Sequence, residues 1–119
     1  MNETIRTDMY AFFTERREDC AERERRLAQE QKPDESTLAR IEGNIYDAFR
    51  AVFDVACRMG DEGAAFFRQR AKQIPSNWYA ARQQALDHGC EDRAYVETVK
   101  LNAAECIMAK FESLLEAKQ

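Results

Sequence analysis

The sequence predicts an all-α protein, folded as an antiparallel up-down helical bundle of four legs. Apolar residues recur at steps of three and four along most of the chain, which is the spacing of one face of an α-helix. Isolated prolines and glycines divide the chain into helical lengths that match one another. No segment shows the alternating pattern of a β-strand.

The first long helix is predicted from Glu3 to Gln31. Acidic residues precede basic ones by four positions in its second half, as in Asp19 with Arg23, and this orientation stabilises a helix. Pro33 is expected to end it, because proline disfavours helical geometry in the residue before it. Its apolar stripe contains Ile5, Met9, Phe12, Phe13, Cys20 and Leu27.

The central helix is predicted to carry its apolar face from Leu38 to Met59. That face covers roughly half of the circumference, against about 100° for an ordinary surface helix, so it needs neighbours on two sides. Asp34 or Ser36 is expected to cap its start. Gly43 is predicted to project on its polar side. The apolar positions are Leu38, Ile41, Ile45, Ala48, Phe49, Val52, Phe53, Val55, Ala56 and Met59, with Tyr46 beside them.

Two short helices and one long helix are predicted to follow. The third runs from Glu62 to Ile74, the fourth from Asn77 to His88 with Ser76 as its cap, and the last from Glu91 to Ala117. The third and fourth together match the length of each long helix. We therefore expect five helices in four legs, with the third leg broken at Pro75. The alternative is a five-helix array in which the third and fourth helices fold back as a small hairpin.

Length and composition predict one cytoplasmic domain spanning residues 1–119. Charged residues make up 34% of the chain with a net charge of −4, which is typical of a globular protein and does not favour nucleic acid as a partner. Neither a signal peptide nor an apolar run long enough to cross a membrane is apparent. The cysteines have no metal-site spacing and are expected to be structural free thiols: Cys20, Cys57, Cys90 and Cys106.

Three short strings give the chain a resemblance to a group of known proteins. They are Asn44-Ile45-Tyr46-Asp47 with Phe49, Ile74-Pro75 with Asn77-Trp78, and Lys100-Leu101-Asn102-Ala103-Ala104. With these strings the chain resembles uncharacterised small helical proteins of Gram-positive anaerobes, from Ile41 onward. The resemblance implies one compact helical domain and no particular activity.

The sequence does not favour an enzyme, a cofactor or a metal site. His88 is the only histidine, and its place beside Gly89 at a helix end favours interaction with the helix dipole. The chain has no Glu-x-x-His pair, Gly-rich phosphate loop or HExxH motif. A weaker alternative is thiol chemistry, because His88, Cys90 and the carboxylates of Glu91 and Asp92 lie close together in sequence.

Four arginines lie on helix faces that should be apolar. One interpretation is that their stems cover apolar surface while their guanidinium groups reach water. Glu42 is expected to form an ion pair with Arg23 between the first two helices, where it would fix register more than stability. The second interpretation is a site for a small anionic ligand such as phosphate or carboxylate, with Arg16 level with Arg70 and Arg23 level with Arg82. The residues of this predicted ligand site are Arg16, Arg23, Arg70 and Arg82.

The third functional hypothesis is association with another protein. If the short helices leave part of the central helix uncovered, we expect Tyr46, Phe53 and Cys57 to form an interface. The sequence is therefore interpreted as a small helical interaction or adaptor module, most simply a homodimer, without catalytic activity. A binder of a small anionic ligand is the alternative.

Overall fold

The computed structural model describes residues 1–117, and these residues form helices joined by short turns. The helices are α1 (Glu3–Gln29), α2 (Pro33–Cys57), α3 (Gly63–Gln73), α4 (Ser76–Asp87) and α5 (Glu91–Ala117), with a 3-10 turn at Gly60–Glu62. No strand occurs within this range. The predicted all-α class is confirmed. α3 and α4 form one bent leg, because only Ile74 and Pro75 separate them.

The end of α1 has a different physical cause from the predicted one, which was Pro33. Gln31 adopts the left-handed conformation with φ of 61°, and the N–H of Lys32 donates to the carbonyl of Leu27. These features end a helix without proline. Pro33 instead begins α2 as its first residue, where its fixed φ suits a helix and its missing N–H has no helical acceptor to lose.

The predicted serine and aspartate caps are wrong. Lys32 occupies the N-cap of α2 without a side-chain hydrogen bond, and Ser36 lies in the helix and donates to the carbonyl oxygen of Glu24 at 2.9 Å. Ser76 is the first residue of α4 and donates to the carbonyl of Gln73 at 2.6 Å. Both hydroxyls therefore tie one helix to the end or flank of another instead of capping their own.

The core is centred on Phe53 in the middle of the molecule. Its ring makes aromatic contacts with residues of α1, α3 and α5, at centroid distances between 5.2 and 6.3 Å. Such edge-on and tilted contacts stabilise a core beyond the burial of area. The wide apolar face of α2 is thus enclosed by three other helices. The aromatic partners of Phe53 are Tyr10, Phe13, Phe67 and Phe111.

Two glycines allow neighbouring helices to approach α2 closely. A Cβ added at Gly63 would overlap the carbonyl oxygen of Ala56, so α3 begins directly against the end of α2. Gly43 is buried, and a Cβ there would lie 2.8 Å from Arg17 Nη1 and 3.2 Å from the Cβ of Cys20. The prediction that Gly43 projects on the polar side is therefore wrong, because it faces α1.

The position of α4 leaves a cleft in the molecule. α4 packs against α5, while its backbone stays largely apart from α1 and α2. Trp78 at its start still reaches α2, with its ring 6.5 Å from that of Phe49. Beyond this contact α4 packs on α5, and a cleft lies along these two helices. None of the helices between residues 1 and 117 combines the length and the apolar character needed to cross a membrane.

Candidate functional site

The four arginines of the predicted ligand site do not meet. Arg16 lies over the ring of Phe12 at 5.3 Å, and Arg82 lies over the ring of Tyr79 at 5.6 Å. Arg70 is exposed, with only a 3.5 Å contact to the side chain of Gln73. α1 packs on α2 and α5, and its backbone has little or no contact with the leg that carries the other two arginines. Each guanidinium therefore covers apolar surface or pairs locally.

Arg23 takes part in a compact polar cluster between α1 and α2. Its Nη2 lies 2.8 Å from Glu42 Oε2 and 3.3 Å from the sulfur of Cys20. The thiol of Cys20 in turn donates to the same carboxylate oxygen at 3.2 Å. Burial and the neighbouring carboxylate raise the pKa of Cys20 to about 12, so the thiol stays protonated at neutral pH. The cluster has the properties of a structural contact and not of a reactive site.

The predicted interface residues are mostly inside the protein. Tyr46 is 3% exposed and Phe53 is fully buried, so neither can contact a partner. Tyr46 packs on Phe12 with ring centroids 6.1 Å apart. Burial has the largest effect on the pKa of the Tyr46 hydroxyl and raises it, and the neighbouring Cys106 raises it further. Cys57 is half-buried beside the hydroxyl of Tyr10. The prediction failed because α1, α3 and α5 together cover the wide apolar face of α2. They leave less of this face uncovered than the helix lengths indicated.

A different flank of α2 is exposed. Three exposed apolar residues of α2 and one in the turn just after it stand at steps of three and four, and we call them the Val55 strip: Ala48, Ala51, Val55 and Met59. Val55 is 40% exposed and Met59 is 37% exposed. The two alanines precede them and have only small side chains. The part of the strip within α2, from Ala48 to Val55, is about 11 Å long at about 1.5 Å of rise per residue.

A cleft of about 570 Å³ lies along α4 and the first turns of α5. Its volume is within the range of small-molecule sites in proteins. One part of its wall is apolar, and the rest carries polar groups from both helices. The lining residues are Ala81, Gln84, Ala85, His88, Cys90, Arg93, Val96 and Glu97.

The most covered ion pair of the described chain is at the edge of this cleft. Glu97 Oε2 lies 3.1 Å from Lys100 Nζ, with side-chain exposures of 16% and 22%. That oxygen is itself buried and accepts no hydrogen bond within residues 1–117, although the ammonium is near enough to balance its charge. Lys100 Nζ also lies 5.3 Å from the centre of the Trp78 ring. The carboxylate of Glu97 is therefore already neutralised.

Arg93 lines the same cleft and has no such partner. It forms no ion pair with any residue between 1 and 117, although Glu97 lies one turn further along the helix. An arginine that precedes a glutamate by four positions has the less favourable orientation for pairing. The first turn of α5, where Arg93 is, also has the positive end of the helix dipole.

His88 and Cys90 do not form a nucleophile and its base. His88 Nδ1 lies 2.8 Å from the carbonyl oxygen of Gln84, so this nitrogen carries the ring proton that it donates. Cys90 Sγ is 3.8 Å from the carbonyl oxygen of His88 and makes no contact with the ring. Within residues 1–117 no cluster of three or more metal-binding side chains is present.

Sequence reasoning missed both the cleft and the Val55 strip. Glu97 and Lys100 stand three apart, each directly after an apolar position, Val96 and Val99, and this placement beside an apolar stripe was the available signal for a covered ion pair. The exposure of Val55 had no signal in the periodicity, because Val55 belongs to the same apolar arc as the buried residues. Comparison with protein-family models, with curated proteins and with solved structures gives no match to this chain.

Proposed function

We propose that this chain is a small helical interaction module that associates with a second copy of itself through the Val55 strip and has no catalytic role. The observation that carries the proposal is the exposure of Val55 on α2 and of Met59 just after it, next to the exposed alanines Ala48 and Ala51. Small residues let two helices approach closely, and the exposed valine and methionine gain by removal from water.

The charges beside the strip favour a second copy over an unrelated partner. A two-fold interface must be complementary to itself, so a single sign of charge along its edge would oppose it. Asp47 and Arg58 stand on the same side of the strip, close to its two ends. An antiparallel pair of α2 helices centred midway between these residues brings Asp47 of one copy to Arg58 of the other. Ala51 and Val55 are then the strip residues nearest the centre.

Both charged side chains are available for this pairing. Asp47 is 52% exposed and uses one carboxylate oxygen for Arg17 at 2.8 Å, which leaves the other oxygen free to accept. Arg58 is exposed at the end of α2 and forms no ion pair with any other residue between 1 and 117.

Sedimentation velocity across a dilution series tests the proposal on the full chain. We expect a concentration-dependent dimer, and we expect Val55→Asp to sediment as a monomer at every concentration with an unchanged helical circular-dichroism signal. Leu86→Asp is the matched control, because Leu86 is 51% exposed on α4 and lies outside the strip. A monomeric wild type, or a dimer that only Leu86→Asp dissociates, would overturn the proposal.

A charge exchange tests the arrangement of the two copies. Arg58→Asp places two acidic groups together and should weaken the dimer, while the double variant Asp47→Arg with Arg58→Asp should restore it. If the double variant is no stronger than the single one, α2 does not pair in this register.

The wider architecture and location belong to the same proposal. We infer an up-down-up-down order of the four legs, and the pairing of Met1 with Gly60 and of Glu24 with Ser36 supports opposite directions for α1 and α2. We also infer a cytoplasmic location, which the free state of the four cysteines favours.

A further inference from the structure

The geometry points to a binding site for a small carboxylate with a short apolar body in the cleft of α4 and α5, held by the guanidinium of Arg93. This site is separate from the Val55 strip, so it stands or falls independently of self-association. The inference rests on three observations: an unpaired guanidinium, an apolar wall beside it, and a neighbouring ion pair that is already neutral.

The charge of the cleft selects the sign of its ligand. Glu97 and Lys100 compensate each other at 3.1 Å, which leaves the positive charge of Arg93 as the unbalanced one among the ionised side chains at this site. The dipole of α5 acts in the same direction at Arg93, and the acidic residues of this turn, Glu91 and Asp92, are exposed and do not line the cleft. An anion is therefore favoured over an amine.

The single guanidinium and the shape of the cleft select the kind of anion. A planar guanidinium binds a carboxylate with two parallel hydrogen bonds. A phosphate dianion would require more donors than one guanidinium supplies. Ala81, Ala85 and Val96 form an apolar wall that can cover a few methylene groups. The side-chain amide of Gln84 offers a further donor at the same cleft.

Titration of the full chain with sodium pentanoate, followed by ¹H–¹⁵N NMR, tests the site. We expect the amide signals of Ala81, Ala85 and Val96 to shift as pentanoate is added and to reach a plateau when the site is saturated. Pentylamine and 1-pentanol have the same apolar body without the carboxylate and should bind at least tenfold more weakly, as expected for loss of a charge-assisted hydrogen bond. Inorganic phosphate should also bind at least tenfold more weakly.

Variants assign the binding to its residues. Arg93→Gln should weaken pentanoate binding at least tenfold, while Arg25→Gln, an exposed arginine on α1, should leave it unchanged. Glu97→Gln removes the negative charge beside Lys100 and should tighten pentanoate binding. Arg93 is exposed, so its variant should keep the urea midpoint of the wild type. The inference would be overturned if pentanoate does not shift the amide signals of the cleft, or if Arg93→Gln binds pentanoate as well as the wild type does. It would also be overturned if Glu97→Gln binds pentanoate more weakly, or if the wild type prefers pentylamine or phosphate.

Discussion

Arg23 of α1 and Glu42 of α2 form a 2.8 Å ion pair that also includes the thiol of Cys20. The side chain of Arg23 is 40% exposed and that of Glu42 is 27% exposed, so water still reaches the pair although much of its surface is covered. A pair in this setting contributes through its hydrogen bonds and its register more than through charge alone.

We predict a measurable coupling between these two residues. Glu42→Leu should lower the free energy of unfolding by about 1 to 2 kcal/mol, because Arg23 and Cys20 lose their acceptor. Adding Arg23→Met should recover most of that loss, giving a coupling of about 1 kcal/mol in urea denaturation.

The pair of Arg26 with Glu30 is the control for this cycle. It lies 3.6 Å apart with side-chain exposures of 60% and 45%, so its coupling should be below about 0.5 kcal/mol. Equal coupling in both cycles would show that the covered position of Arg23 and Glu42 has no energetic effect.

Gly63→Ala should strongly destabilise the protein. Its new Cβ would overlap the backbone oxygen of Ala56, which cannot move without displacing the end of α2, so we expect a loss of at least about 2 kcal/mol. Gly43→Ala is the comparison, because the atom nearest its Cβ is the end of the flexible Arg17 side chain. Crowding there is opposed by the gain in helix propensity of about 1 kcal/mol. Urea midpoints that fall equally for both variants would contradict this difference.

Gln31→Gly should stabilise the protein. Gln31 has φ of 61°, a left-handed conformation that glycine adopts without the steric penalty of a side chain. We expect a gain of about 1 kcal/mol in the free energy of unfolding. Gln29→Gly, in the last turn of α1, should instead lose about 1 kcal/mol in the same urea titration. A destabilised Gln31→Gly protein would show that this side chain has a role beyond the turn.

The pair of Arg68 with Glu112 should make stability depend on pH in the acid range. Its two hydrogen bonds are both 2.7 Å, and the hydrogen bond from Arg68 lowers the pKa of the Glu112 carboxyl. A lowered pKa in the folded state stabilises the protein above the ordinary glutamate pKa, and this contribution is lost as pH falls through the folded value.

Glu112→Gln therefore should be less stable than wild type at pH 7 by less than about 1 kcal/mol, because both side chains are more than a third exposed. The difference should disappear as pH falls through the lowered pKa of Glu112 in the folded state, because neither protein then carries the charge. Thermal unfolding of the two proteins between pH 2 and 7 measures it, and a difference that persists at pH 2 would exclude the carboxylate as its cause.

The helices were predictable because the signals that form them are local. The periodicity predicted the helical segments to within a few residues at most of their ends, and Pro75 marked the bend of the third leg. The wide apolar face of α2 also indicated several neighbours. Local signals misled where a residue has two uses, as with Ser36, which contacts the backbone of α1 instead of capping its own helix.

The sequence by itself determined the all-helical class, the placement of the bend and most of the core, since periodicity, proline and glycine act over a few residues. Only the tertiary structure decided which flank of α2 stays exposed. It buried Tyr46 and Phe53, left Val55 uncovered, and formed the cleft at Arg93 along α4 and α5. These outcomes depend on the angles at which helices cross and on which helix covers each flank, and such long-range contacts leave no periodic trace in the chain.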